Sequence, residues 1–211
     1  MEKKNLRNFD LNPGREVLGR YIILSKLGSG YEGEVYKIEE ILTKKIRAIK
    51  LYYPNKNIKF KISTRYAQKL DKLNSSHIVM NYHSHEFFKF KGQKIACIVS
   101  EFIEGEMLGV FVEKQRGKRL GIFPALHLLY SLSKGLEAIH ANGEYHGDLH
   151  TDNVMIRKFG LEFDIKILDF LHWGDSVKDN RDEDIVKTIR VFYDILGGAK
   201  QYPKHPESVK Y

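Results

Sequence analysis

The sequence predicts an α+β fold with a β-rich first part and a helical second part. Runs of β-branched and aromatic residues dominate the first hundred positions, as in β-strands. Beyond Gly105 the apolar residues recur at helical spacing. The pattern changes at residues 103–109, so we expect an N-terminal part over residues 1–103 and a C-terminal part over residues 104–211.

Strands are expected in the first part wherever β-branched and aromatic residues cluster. They cover residues 21–27, 34–38, 46–52, 79–83 and 95–102. A helix over residues 58–73 interrupts them, and its apolar residues alternate with lysine and arginine. This alternation is typical of a solvated helix face, with a docking surface as the alternative.

The second part is expected to contain two long helices. The first covers residues 123–141, with Pro124 near its start and Asn142 and Gly143 after its end. The second covers residues 184–196, and it begins with acidic residues and ends before Gly197.

Composition limits the class of protein. Hydrophobic residues make up 42% and charged residues 29%, as in soluble globular proteins. We expect no integral membrane segment, no secretory signal and a cytoplasmic location. The single cysteine, Cys97, lies in an apolar run and is predicted to be a buried thiol. The net charge of +8 permits attraction to phosphates, nucleic acid or an anionic membrane without choosing among them.

A glycine-rich turn follows the first predicted strand. Gly28, Gly30 and Gly33 would let backbone N–H groups approach phosphates, although a flexible hairpin has the same sequence pattern. A strand is predicted directly after Gly33, which favours a β-hairpin over the strand-to-helix turn of dinucleotide-binding folds. Lys50 ends a later apolar run and is a candidate phosphate ligand, with an ordinary surface lysine as the alternative.

The segment Tyr-His-Gly-Asp-Leu-His-Thr-Asp-Asn, residues 145–153, carries the strongest functional signal. Asp148 and Asn153 lie in a predicted loop, and Asp169 follows the next apolar run. Two carboxylates and an amide at element ends could hold a phosphate and a metal ion. A zinc site at His146 and His150 is disfavoured, because Gly147 stands where the helical metalloprotease motif has glutamate.

Together these motifs resemble the protein kinase family. The glycine turn, Ala-Ile-Lys at residues 48–50, Ser-Glu-Phe-Ile-Glu-Gly at 100–105, the loop at 145–153 and Asp-Phe at 169–170 stand in kinase order. The resemblance covers residues 21–198. It implies a bilobal protein kinase-like fold with an antiparallel β-rich N-lobe and a mostly helical, apparently shortened C-lobe.

The resemblance also implies ATP and Mg²⁺ and gives each motif residue a role. Asp148 would orient the substrate hydroxyl and accept its proton, and His150 could donate to the γ-phosphate. Asn153 and Asp169 would be the metal ligands. The remaining candidates would contact the nucleotide: Gly28, Gly30 and Gly33 the phosphates, Lys50 the α- and β-phosphates, Glu101 to Ile103 the adenine, and Glu104 or Glu106 the ribose. Asp184 would brace the backbone of the Asp148 loop, with a plain helix N-terminal acid as the alternative.

The sequence departs from the family pattern at three places. The helix over residues 58–73 has no glutamate to pair with Lys50, so Gln68, Asp71 or Asp169 would have to substitute. Gly147 replaces an arginine that many kinases have, and few residues separate Asp169 from Asp184. We therefore expect a short activation segment that phosphorylation does not control.

Three functional alternatives stay open. The favoured function is transfer of phosphate from ATP to Ser or Thr of a protein. The others are a small-molecule phosphotransferase of the aminoglycoside kinase type and a nucleotide-binding pseudokinase or scaffold. We do not expect nucleic acid as a partner. Because few residues follow Gly198, part of the apolar face of the last helix would lack cover. We expect either that the chain is truncated or that a partner or homo-oligomer covers this face.

Overall fold

The computed structural model describes residues 6–160, 162–170 and 177–207. These residues form two compact units. The first unit ends at Asn74 and resumes over Met80–Ile103, and the second contains Ser75–Val79 and the chain from Glu104 onward.

An antiparallel six-stranded sheet forms the first unit, with strand order β1-β2-β3-β4-β6-β5. Its strands are β1 (Glu16–Val17), β2 (Tyr21–Ser29), β3 (Gly33–Glu40), β4 (Ile46–Tyr52), β5 (Tyr82–Phe90) and β6 (Gln93–Glu101). Side chains alternate between core and solvent in β3, where Tyr36 and Ile38 are buried. In β6, by contrast, every residue from Ile95 to Ser100 is buried, as expected for a strand between two neighbours.

Cys97 lies in this buried part of β6 and is fully inaccessible. Burial raises the pKa of its thiol to about 12, so the unreactive thiol form dominates at neutral pH. The prediction of a buried thiol is therefore confirmed.

The segment before β1 packs on the sheet, which the sequence pattern does not indicate. Phe9 and Leu11 are buried, and the Phe9 ring stacks on Tyr53 with centroids 5.3 Å apart. The backbone N–H of Phe9 donates to the Glu34 carboxylate at 3.2 Å, and that of Leu11 to the Tyr36 hydroxyl. This segment therefore ties itself to the start of β3.

Helix α1 (Lys61–Lys72) follows a short 3-10 turn at Ile58–Phe60, so the predicted helix is confirmed. Asn57 stabilises its start, since the Asn57 side-chain oxygen accepts from the N–H groups of Ile62 and Ser63. The strand predicted over residues 79–83 is wrong. Val79 instead forms a single bridge to Ile167 in the second unit, and β5 begins only at Tyr82.

The second unit is mainly helical and contains one small sheet. Its helices are α2 (Leu108–Glu113), α3 (Ile122–Ala141), α4 (Val177–Ile195) and α5 (Gly198–Gln201), and its strands are β7 (Glu106–Met107), β8 (Val154–Phe159) and β9 (Glu162–Ile167) in the order β7-β8-β9. Helix α3 matches its prediction. Its Gly135 allows close packing, because a Cβ there would lie 2.0 Å from the Ile78 side chain.

Helix α4 begins at Val177, two turns before the predicted start at Asp184. Its buried face has a polar half, Asn180, Asp184 and Thr188, and an apolar half, Val191 and Ile195. The sequence pattern detects only the apolar half, which explains the error at the start of the helix.

Apolar side chains are exposed on both long helices of the second unit. Phe123 and Tyr130 on α3 are 70% and 63% exposed, and Ile185 and Ile189 on α4 are more than half exposed. The uncovered apolar face expected on α4 is therefore present, while its occupant stays a prediction. Within the described ranges, no helix is both long and apolar enough to cross a membrane.

Candidate active site

The Asp148 loop, residues 145–153, connects α3 to β8 and ends in a 3-10 turn at Thr151–Asn153. Its backbone is fixed by Asp184 of α4, whose side chain is fully buried. The Asp184 carboxylate accepts hydrogen bonds from the N–H groups of His146 at 2.8 Å and Gly147 at 2.7 Å. His140 of α3 contacts the same carboxylate at 3.0 Å. The bracing role of Asp184 is confirmed, and the helix N-terminal alternative is excluded because Asp184 lies inside α4.

His146 provides a second anchor from within the loop. Its ring is buried and lies 2.7 Å, through Nε2, from the carbonyl oxygen of Leu168. Nδ1 accepts from the backbone N–H of Asp148 at 3.1 Å. The two contacts require a neutral ring with its proton on Nε2. His146 therefore connects Asp148 to the segment before Asp169.

Gly147 adopts a left-handed conformation with φ of +82°. An L side chain is strained in this region, whereas glycine enters it readily. The positive φ is therefore a local reason for glycine at position 147. The resemblance to kinases had suggested a comparison with arginine at this position.

Asp148 presents its carboxylate to solvent, with 61% of the side chain exposed. Oδ2 lies 3.7 Å from Nε2 of His150, and Oδ1 lies 3.4 Å from Nζ of Lys187 on α4. Nδ1 of His150 accepts the backbone N–H of Asp152 at 3.2 Å. His150 thus has a hydrogen-bonding role within the loop, and its catalytic role stays a prediction.

Asn153 is suited to hold a hard cation through its side-chain oxygen. The side chain is largely buried, and its Nδ2 donates to the carbonyl oxygen of Asp148 at 2.8 Å. Nδ2 also faces His150 Nε2 at 3.0 Å. These contacts use the nitrogen and leave Oδ1 for a ligand.

Asp169 lies between two residues that are held firmly. The Leu168 N–H donates to the carbonyl oxygen of Asn153 at 2.8 Å, and Phe170 is buried with its ring 4.8 Å from that of His146. Asp169 itself is exposed and has a positive φ of +57°. An outlier of this kind persists only where its neighbours impose it, and it is common at functional sites.

The donor set of Asn153 and Asp169 fits Mg²⁺, which takes oxygen ligands and keeps several waters. It does not fit a metal that needs a full protein cage. In the described part of the chain, no three His, Cys, Asp or Glu side chains cluster as a metal site.

The glycine turn in the first unit connects β2 to β3 as an antiparallel hairpin, as predicted. The Gly30 N–H donates to the Gly33 carbonyl oxygen at 2.9 Å. A Cβ at Gly33 would clash with the Leu51 carbonyl, so packing requires glycine there. A Cβ at Gly28 or Gly30 would meet nothing within 4 Å. Packing therefore does not explain these two glycines.

Glu34 anchors β3 directly after this turn. Burial alone would raise the pKa of Glu34, but hydrogen bonds from two tyrosines, a lysine and a backbone N–H lower it. Two of these donors are Tyr53 at 3.0 Å and Lys26 at 3.0 Å. The carboxylate stays charged and holds the glycine turn to the sheet.

Lys50 forms an ion pair that the sequence did not indicate. Its Nζ lies 3.3 Å from Oε2 of Glu32 in the glycine turn, and both side chains are less than one fifth exposed. On α1, the ring of the buried Tyr66 lies 5.5 Å from the same Nζ. Gln68 and Asp71, the expected substitutes on this helix, are exposed. Glu32 is therefore one acidic partner of Lys50 among the described residues of the first unit.

The predicted adenine and ribose residues occupy the ends of the two units. In the first unit, the Glu101 N–H donates to the Asn81 carbonyl oxygen and its carboxylate accepts from the Asn81 N–H at 2.8 Å. Ile103 is partly exposed. In the second unit, Glu106 pairs with Lys114 at 2.6 Å and Glu104 with Arg157 at 2.9 Å. Ribose binding by either glutamate would compete with an ion pair.

Sequence reasoning missed the roles of His146 and Lys187 in the second unit and of Glu32 in the first unit. His146 was considered only as a zinc ligand, and the other two have the pattern of ordinary surface charges. The three-residue spacing of Asp184 and Lys187 was an available signal, because it places both on one helix face. Residues 171–176 of the expected activation segment, which would lie between Asp169 and Asp184, are outside the described residues, and its remainder up to Asp184 belongs to α4.

Comparison with known proteins identifies related chains. A family model for the protein kinase domain matches residues 21–191. The serine/threonine-protein kinase pkn2 of Myxococcus xanthus is 33% identical over 164 residues, which cover 76% of this chain and 19% of pkn2. For the serine/threonine-protein kinase PrkC of Bacillus subtilis the identity is 29% over 160 residues, which cover 74% and 23% of the two chains. The chain thus spans less than a quarter of the length of these two relatives.

The crystal structure of a double mutant of the Mycobacterium tuberculosis PknI kinase domain resembles this chain. The TM-score is 0.70 at 18% identity, and the match covers 90% of this chain and 78% of the PknI chain. This likeness confirms the predicted fold, with its antiparallel β-rich first unit and mainly helical second unit.

Proposed function

Because the chain belongs to the protein kinase family, we propose that it transfers the γ-phosphoryl group of ATP to a serine or threonine hydroxyl of a protein. The observation that carries this proposal is the Asp148 loop. An exposed carboxylate projects from a backbone that is fixed by Asp184 and His146. Such a group is accessible to a substrate and still held in one place, as phosphoryl transfer requires.

In the proposed reaction, Asp148 orients the substrate hydroxyl and accepts its proton. The hydroxyl oxygen forms a bond to the γ-phosphorus, and the bond from the γ-phosphorus to the β,γ-bridging oxygen breaks. ADP leaves with the electron pair, and the proton passes from Asp148 to solvent. Asn153 and Asp169 would hold Mg²⁺, which neutralises phosphate charge when it is bound.

We assign nucleotide contacts to each unit separately. In the first unit, Gly28, Gly30 and Gly33 would admit the phosphates to the backbone, and Lys50 would bind the α- and β-phosphates. Support comes from the open space above Gly28 and Gly30. Glu101 and Ile103 would bind adenine through their backbone groups. In the second unit, Glu106 would bind the ribose after releasing Lys114, with Glu104 as the alternative.

Control by phosphorylation of the activation segment is not part of the proposal. Gly147 carries no guanidinium that could bind a phosphorylated residue, and its positive φ disfavours a side chain at this position. The names of pkn2 and PrkC support a protein substrate over a small molecule.

Binding and transfer can be measured on the same preparations. At ATP and Mg²⁺ concentrations about 100-fold above Kd, we expect the wild-type melting temperature to rise by about 5–10 °C. Asp169→Ala should lose most of this rise, because it removes a metal ligand. The control Asp164→Ala, at an exposed aspartate of β9, should keep it.

Transfer from γ-labelled ATP separates the three functions. Label on serine or threonine of dephosphorylated casein supports the proposal. Label on kanamycin without label on protein would replace the proposal with a small-molecule phosphotransferase. A thermal shift without label on either acceptor would indicate a nucleotide-binding pseudokinase.

The Glu32–Lys50 pair leads to a separate prediction. A carboxylate beside the phosphate-binding lysine competes with the phosphates and repels them. We therefore expect Glu32→Gln to tighten ATP and ADP binding by roughly threefold to tenfold, about 1 kcal/mol. Calorimetric titration measures this change, and adenosine, which has no phosphate, should bind both forms equally.

Glu39→Gln is the matched control for this prediction. Glu39 lies on β3, the strand that follows the turn, and pairs with Lys44 at 3.0 Å, away from the turn. If Glu32→Gln weakened ATP binding, Glu32 would be an aid to Lys50 and not a competitor of the phosphates.

A further inference from the structure

Lys187 lies on α4 one turn after Asp184 and reaches the Asp148 loop. Its Nζ donates to the carbonyl oxygen of Gly147 at 2.7 Å and lies 3.4 Å from Oδ1 of Asp148. A third contact joins it to Oε1 of Glu183 at 3.1 Å. The side chain is only 23% exposed, so this is not a freely solvated lysine.

Asp184 and Lys187 act on the same loop residue from one helix face. Asp184 accepts the N–H of Gly147 at 2.7 Å, and Lys187 donates to its carbonyl oxygen. Both backbone polar groups of Gly147 are therefore bound by α4. This residue has a positive φ, and its conformation sets the direction in which Asp148 leaves the backbone.

Packing does not hold the Asp148 carboxylate in place, so its orientation depends on its contact with Lys187. The side chain is 61% exposed, and an exposed carboxylate exchanges between rotamers unless a charge fixes it. Lys187 engages Oδ1. Oδ2 lies 3.7 Å from Nε2 of His150 and is the oxygen left for a substrate hydroxyl.

We propose that Lys187 is a positioning residue that orients Asp148 for proton transfer. It holds Oδ1 and the Gly147 carbonyl oxygen together, so that Oδ2 points to the acceptor hydroxyl. The inference rests on the proposed kinase function, because it assigns a role in that reaction.

Turnover measurements with three variants test this role. Lys187→Met keeps the apolar stem and removes the charge, and we expect kcat to fall by about 100-fold, the usual cost of a misplaced catalytic group. The KM for ATP should stay within about twofold, because Lys187 holds the base and not the nucleotide. Lys187→Arg, which keeps a donor and the charge, should recover most of the loss.

Glu183→Gln is the matched control. It removes the third contact of Lys187 and leaves the contacts to Gly147 and Asp148 in place, so kcat should change by less than about twofold. The acceptor in all assays is dephosphorylated casein with γ-labelled ATP. A normal kcat for Lys187→Met, or an equal loss in Lys187→Met and Lys187→Arg, would overturn the proposed role.

A second measurement does not need turnover and separates this inference from the proposed function. Urea unfolding of Lys187→Met, Asp148→Asn and the double variant forms a double-mutant cycle. We expect the double variant to lose less stability than the sum of the two single variants. Strict additivity would refute the contact. If the wild type transferred no label, the proposed function would fail, while this cycle would still decide whether Lys187 holds Asp148.

Discussion

Asp148→Asn should lower kcat by about 10²–10⁴-fold, the range typical of a lost general base. Asparagine has nearly the same shape but cannot accept the hydroxyl proton. The side chain is exposed, so the free energy of unfolding should stay within about 0.5 kcal/mol of the wild-type value. Labelled-ATP transfer and urea unfolding on one preparation measure both quantities.

The control for this substitution is Asp164→Asn, another exposed aspartate of the second unit that pairs with a basic residue. It should leave both kcat and stability unchanged. Should Asp148→Asn retain more than about a tenth of the wild-type kcat, a different group would have to accept the proton. ATP binding should survive in the variant, because Asp148 is assigned no nucleotide contact. A thermal shift on addition of ATP and Mg²⁺ verifies that the Asp148→Asn variant binds the nucleotide.

Residue types and order were sufficient to predict the loop and the position of Asp169 within the fold. A polar stretch between an apolar helix and an apolar strand indicates a loop, and the motif order places Asp169 after the strand that follows. The strands β2, β3, β4 and β6 were predictable because β-branched and aromatic residues cluster in each of them. Each of these signals is local in sequence.

The residues that hold the site in place could not be predicted in this way. Lys187 meets Gly147 across forty positions, and Glu32 meets Lys50 only because a hairpin and the next strand bring them together. A lysine four residues after Glu183 has the pattern of an ordinary helix surface pair. Such pairings depend on tertiary structure, so the local periodicity of the sequence does not predict them.

The early start of α4 and the packed N-terminal segment were missed for related reasons. The first two turns of α4 bury Asn180 and Asp184 instead of apolar residues, so their periodicity is hidden. Phe9 and Leu11 are isolated apolar residues in a polar stretch, and only the sheet beneath them gives them a core to join. The pattern of apolar and polar residues along the sequence does not reveal buried polar helix faces or short apolar segments that pack on a core.

Asp184→Ala should have the largest effect on stability. The carboxylate is fully buried and satisfies the N–H groups of His146 and Gly147 together with His140. Alanine would leave two backbone donors unpaired, at about 1–3 kcal/mol each, so we expect a loss of about 3–5 kcal/mol in urea unfolding. Asp184→Asn retains one acceptor and should lose about half as much. The exposed Asp182→Ala should stay within about 0.5 kcal/mol of wild type.

Asp184→Asn also tests whether loop geometry and catalysis are coupled. Because an amide cannot accept both N–H groups, the Gly147 backbone should relax and Asp148 should lose its direction, although Asp148 itself is unchanged. We expect kcat to fall by about 100-fold at temperatures where the variant is fully folded. A variant that is destabilised as expected but turns over normally would show that Asp184 stabilises α4 and α3 without positioning the loop. The same result would weaken the role of Lys187, since both residues act through the backbone of Gly147.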